Sequence, residues 1–116
     1  MKIQRVLRVL TVLVIAVAIG ALNANSRADD HASSTVDVKI ENFSFSPAVI
    51  TVPAGTTVRW TNRDDIPHTV VSDDHTTFKS KPLDTDEQFS YTFSKPGTYS
   101  YFCSIHPKMT GKVVVQ

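Results

Sequence analysis

Cys103, His106 and Met109 follow one another at intervals of three near the C-terminus, and another imidazole, His68, stands 35 residues before the cysteine, directly after Pro67. Together they offer one thiolate, two imidazoles and one thioether. Two imidazoles and a thiolate in a trigonal set, with a weak axial thioether, are the donors of a blue-copper electron-transfer site. The soft thiolate suits Cu(I) and imidazole suits both oxidation states, so one fixed arrangement serves both with little rearrangement. His68, Cys103, His106 and Met109 are therefore the candidate ligands of one copper ion.

Each of these residues alone has a plainer reading. Cys103 is the only cysteine, which rules out an intramolecular disulfide; an unpaired thiol in an exported protein is otherwise an intermolecular bridge or a buried inert group. A methionine is more often a gap-filler than a ligand, but Met109 lies between Lys108 and Thr110, a poor core context. A lone histidine is usually a surface or strand-end residue, and His75, in a polar stretch with Asp73 and Asp74, is read as solvated. The joint spacing of His68 and His106 with Cys103 argues for ligation. Zinc favours several thiolates in a closed shell and has no use for a thioether. A Cys/His nucleophile would need an orienting third group and oxyanion donors, for which the sequence gives no sign. Four histidines without a His-X-His pair, and a single cysteine, also speak against a multicopper catalyst or a thiolate-bridged pair of coppers. The expectation is a protein that is not an enzyme.

The elements that must hold these donors read as short strands. Val36, Val38 and Ile40 alternate with Asp37, Lys39 and Glu41, the period of a half-buried strand. Val49–Val52, Thr57–Thr61, Thr69–Val71, Phe89–Phe93, Thr98–Cys103 and Lys112–Val115 are further β-rich runs, separated by Pro- and Gly-containing turns. Seven or eight short strands without a helical stretch predict an all-β fold, a β-sandwich. Tyr99, Tyr101 and Cys103 share one face of their strand, and His68 opens a strand in which Val70 has its parity. Two strand ends thus present a thiol and an imidazole at one pole, and the Cys103–Met109 loop, stiffened by Pro107, returns His106 and Met109.

The first 28 residues read as a secretory signal peptide: a basic head (Lys2, Arg5, Arg8), an apolar run from Val9 to Leu22, and small residues at Ser26 and Ala28. The run is shorter than the roughly 18 residues of a membrane span. Cleavage is placed after Ala28, with Ala24 as the alternative; residues 29–35 form a polar leader and residues 36–116 the copper-binding domain. Lys2, Arg5, Arg8 and Arg27 leave with the signal while all eleven acidic residues stay, turning a net charge of +1 into about −3. Nucleic acid loses its electrostatic attraction as a partner. A monomer in the periplasm, with no membrane span after cleavage, is expected. Cleavage after Ala28 would also expose Asp29, Asp30 and His31, whose α-amine, two amide nitrogens and imidazole form a possible weak second site for Cu(II) or Ni(II).

From Val36 to Gln116 the chain resembles the cupredoxins, and among them the amicyanin group. The residues that carry the resemblance are Pro53-Ala54-Gly55-Thr56-Thr57-Val58-Arg59-Trp60, Pro67-His68, Pro96-Gly97-Thr98-Tyr99, and the short Cys103–Met109 loop running into Gly111-Lys112-Val113-Val114-Val115. The resemblance implies a Greek-key β-sandwich of about eight strands, with one type 1 copper near one end held by His68, Cys103, His106 and Met109. It further implies that His106 is an electron port through an apolar patch, for which Ile66, Pro67, Pro107, Lys108 and Met109 are the candidates. A soluble periplasmic one-electron carrier follows, with a quinoprotein amine dehydrogenase and a c-type cytochrome as its redox partners. The alternative is a periplasmic copper-binding carrier or homeostasis protein. The chain departs from the family after the first ligand, where Thr69 replaces an asparagine that ties the two ligand loops together.

Overall fold

The structure is a computed structural model and describes residues 34–116. The stretch read as a signal peptide, most of the expected polar leader and the Asp29-Asp30-His31 set lie outside the described residues. Eight strands follow in order: β1 (Thr35–Glu41), β2 (Ser44–Ser46), β3 (Val49–Val52), β4 (Thr56–Asn62), β5 (Val71–Ser72), β6 (Gln88–Phe93), β7 (Gly97–Phe102) and β8 (Thr110–Val115). Among the described residues there is no helix, and so none long and apolar enough to cross a membrane.

The strands form two four-stranded sheets, ordered β2-β1-β4-β6 and β3-β8-β7-β5. β1 runs parallel to β4, with Val38 opposite Trp60, and β3 runs parallel to β8, with Ile50 opposite Val113. The remaining pairings are antiparallel. Only β1–β2 and β7–β8 are hairpins within one sheet; the other connections change sheets, as a Greek-key sandwich requires. Pro53-Ala54-Gly55 makes the turn into β4, with Gly55 at φ 97°, a conformation that suits a residue lacking Cβ.

The alternation of the sequence becomes the layering of the core. Val38 and Ile40 of β1, Val58 and Trp60 of β4, Phe93 of β6, Tyr101 of β7 and Val113 and Val115 of β8 all face inward and are buried. Trp60 stacks on Phe78 at 5.7 Å and meets the edge of Tyr101 at 5.3 Å. Tyr101 in turn meets Phe45 at 4.8 Å. Each such side chain stabilises the fold by about 1.5–3 kcal/mol through burial.

Two elements differ from the sequence reading. β2 is additional, a three-residue strand whose only apolar residue is the buried Phe45, too short for a period to show. The strand expected to open at His68 shrinks to Val71–Ser72, and His68 instead makes an isolated bridge to Leu83. The backbone groups of this stretch pair with residues 78–83: Leu83 N–H donates to the His68 carbonyl at 2.7 Å, and Ser80 N–H donates to Val70 at 2.8 Å. His68, Thr69, Val70 and Val71 are all buried, so no two-residue alternation operates there.

Candidate metal centre

Three connections meet at one end of the sandwich: the β1–β2 turn, the β4–β5 crossover carrying His68, and the β7–β8 loop carrying Cys103, His106 and Met109. The crossover is shaped by Asn62, wholly buried at the end of β4. Its side-chain amide donates to the carbonyls of Ile66 and Leu83, both at 2.8 Å, and its oxygen accepts Asp64 N–H at 2.9 Å. The β7–β8 loop closes on itself. Met109 N–H donates to the His106 carbonyl at 2.9 Å, and Cys103 N–H donates to the Met109 carbonyl at 3.1 Å.

His68 Nδ1 and His106 Nδ1 each lie 3.8 Å from Cys103 Sγ, and the three donor atoms fall within 4.8 Å of one another. A trigonal set with metal–ligand bonds of about 2.0–2.3 Å places its donors roughly 3.7 Å apart, so one ion fits this span. His68 and Cys103 are fully buried and His106 is half-buried. Met109 is buried at 5 % exposure and belongs to the same apolar cluster as Cys103. The structure thus brings His68, Cys103 and His106 together and buries Met109 in their loop. His75 lies apart, exposed and with its ring against Phe102.

The thiol is prepared for ligation. Burial disfavours the thiolate, but the Thr69 N–H bond, the neighbouring His68 imidazole and the His106 backbone and ring outweigh it and bring the Cys103 pKa down to about 6. Thr69 N–H reaches Sγ at 3.4 Å. The Thr69 hydroxyl accepts Ser104 N–H at 2.7 Å and lies 2.8 Å from Ser104 Oγ. This hydroxyl therefore ties the His68 and Cys103 segments together, although it occupies a position where an amide was expected.

Asp64 and Phe43 are site residues that the sequence reading did not single out. His68 Nε2 lies 2.8 Å from Asp64 Oδ2, which makes Nε2 the protonated nitrogen and leaves the Nδ1 lone pair facing the thiol. Burial opposes ionisation of Asp64, yet the amides of Phe43 and Asn42 and the His68 ring together hold its carboxyl below its ordinary value. The Phe43 ring meets His68 edge-on at 5.6 Å and His106 at 5.1 Å. Nothing local in the sequence marks either residue, because the 64–68 stretch is a loop in which a four-residue interval has no fixed geometry.

Outside the donors lies an apolar depression lined by Phe43, Ile105, His106, Pro107, Lys108 and Met109. Phe43 and Ile105 are its exposed large side chains, at 54 % and 44 %. Ile66 and Pro67, expected at this patch, do not line the depression, whereas Phe43 and Ile105 do. The reason is the β1–β2 turn, which brings Phe43 over the centre from a distant part of the chain.

A cupredoxin-like domain profile matches residues 10–115. The amicyanin-alpha of Methylorubrum extorquens is 40 % identical over 111 residues, covering 87 % of this chain and 86 % of the relative. The chain belongs to the cupredoxin family. A second cupredoxin relative, the amicyanin of Paracoccus versutus, is 36 % identical over 95 residues, covering 77 % of this chain and 70 % of that one. Among solved structures, a purple cupredoxin from Nitrosopumilus maritimus superposes with TM-score 0.66 at 35 % identity, covering 70 % of this chain and 99 % of that chain. A Cu(I) form of an amicyanin variant superposes with TM-score 0.65 at 34 % identity, covering 71 % and 82 %. The convergence of His68, Cys103 and His106 fits a type 1 copper site on this cupredoxin scaffold.

Proposed function

We propose that this cupredoxin is a type 1 copper protein that works as a soluble periplasmic one-electron carrier, with His68, Cys103, His106 and Met109 as the ligands. The observation that carries the reading is the convergence of two imidazole nitrogens on one buried thiol. Copper bound there would supply a one-electron Cu(II)/Cu(I) couple.

The chain's own residues hold the donors in advance. Asp64 orients His68, Thr69 locks the Cys103 segment to it, and the two backbone bonds inside the Cys103–Met109 loop set where His106 points. Burial of His68, Cys103 and Met109 excludes water, so little solvent must reorganise when charge changes. His106 is the ligand imidazole that reaches the rim, and the largely apolar depression around it, with Lys108 as its one lysine, lets a redox partner approach with little desolvation of charge. A quinoprotein amine dehydrogenase as donor and a c-type cytochrome as acceptor are the partners proposed, and no separate catalytic role is assigned.

The second reading, a copper-binding carrier or homeostasis protein, draws on Asp29, Asp30 and His31 as a weak Cu(II) or Ni(II) set if the mature chain begins at Asp29. Voltammetry of the copper-loaded protein together with a chelator challenge separates the two. A carrier of electrons cycles reversibly and keeps its copper through many cycles. Ready loss of copper to the chelator without reversible cycling would favour copper handling.

A further inference from the structure

The two-residue turn between β1 and β2 has both central residues, Asn42 and Phe43, at φ 56°. Asparagine tolerates this region and glycine favours it, whereas a bulky aromatic residue there is a genuine outlier. The same turn is held from outside its own hairpin. Asn42 N–H donates to Asp64 Oδ1 at 2.7 Å and Phe43 N–H donates to Asp64 Oδ2 at 3.0 Å. Oδ2 is also the oxygen 2.8 Å from His68 Nε2. One carboxylate therefore receives three donors, two from the turn and one from the buried imidazole. The ring that this turn presents lies edge-on to both histidines, although more than half of Phe43 is exposed.

We propose that Asp64 and Phe43 form a positioning pair for the two histidines: Asp64 pins the β1–β2 turn to His68, and the pinned turn presses the Phe43 ring against both His68 and His106. The inference rests on the reading of these histidines as copper ligands. Phe43 is held in a costly conformation because its ring braces two imidazoles that arrive on separate loops. The turn is thereby a third ligand-supporting loop, contributing no ligand of its own.

The test uses Phe43→Gly, Asp64→Asn and the double variant. Glycine suits the turn's φ, so Phe43→Gly removes the ring while leaving the thermal midpoint of the metal-free protein unchanged or raised. Its Cu(II) EPR spectrum should nevertheless shift, and Cu(I) should pass to a competing chelator faster by about three- to tenfold, within the lower half of the coupling seen for contacts in one network. Asp64→Asn should have a similar effect, and adding Phe43→Gly to it should change little, because the turn is already released. A wild-type thiolate–copper band with variants that match it in EPR and transfer rate would overturn the proposal alone, as would two strictly additive effects. A wild-type chain with no such band would overturn the ligand assignment beneath it.

Discussion

At the scale of single residues, the hydrogen bonds around the donors decide what each can do. Thr69→Val keeps the shape of the side chain but leaves Ser104 N–H without its protein acceptor, which should lower unfolding stability by about 0.5–1.5 kcal/mol in chemical denaturation. The copper-loaded spectrum should shift as well, since the thiolate loses a neighbour that orders it. Asp64→Asn leaves one amide oxygen to serve three donors where the carboxylate had two. It also removes the negative charge that favours the more oxidised ion through His68. The midpoint potential should rise by on the order of 50 mV, roughly the tenfold bias of one charge-assisted hydrogen bond. Voltammetry that showed an unchanged or lower potential would contradict this. The meeting of His68, Cys103 and His106 was legible in the sequence because a thiol and imidazoles at such spacing have few other uses. Asp64 and Phe43 were not, because a carboxylate in a polar loop and a phenylalanine in a turn carry no chemistry until the fold places them against His68.

At the scale of elements, the β7–β8 hairpin depends on Gly111. It sits opposite Tyr101 in the ladder, and a Cβ there would stand 2.3 Å from the tyrosine ring's Cζ. The ring is packed into the core and cannot retreat, so Gly111→Ala should destabilise the fold by about 1–3 kcal/mol and disturb the Cys103 end of β7. A thermal midpoint equal to that of the native chain would contradict it. The loop after β5 depends on Asp74, whose carboxylate accepts bonds from Ser72, Thr76 and Thr77. The Ser72 and Thr77 hydroxyls, then the Thr77 and Thr76 amides, hold its pKa far below the ordinary carboxylate value. Its contribution is therefore complete above that ordinary value and is lost as pH falls towards the depressed one. Asp74→Asn should flatten part of the acid-unfolding curve, modestly, because the group is exposed to solvent. Strands with clear alternation, such as β1, β4 and β6, were readable from apolar period alone. β2 and the 68–72 stretch were not. The former is too short to show a period, and the latter satisfies its backbone through residues 78–83, a long-range pairing with no local signature.

At the scale of the whole molecule, the sandwich closes one end with three loops and leaves an apolar rim around His106. Removing copper should leave the β-sandwich folded, since its core of Trp60, Tyr101, Phe93 and the inward valines needs no metal, but should lower the thermal midpoint because the stabilisation from binding is forfeited. Everything at this end of the sandwich follows from the proposed ligation of copper by His68, Cys103, His106 and Met109 as a trigonal thiolate site. That ligation is tested most directly by loading residues 29–116 with Cu(II) and recording visible and EPR spectra beside the Cys103→Ser variant. An intense blue thiolate-to-copper band with small copper hyperfine splitting, absent from the variant, is the predicted result. A pale protein with ordinary tetragonal EPR, indifferent to the substitution, would contradict the account and move copper to the Asp29-Asp30-His31 terminus.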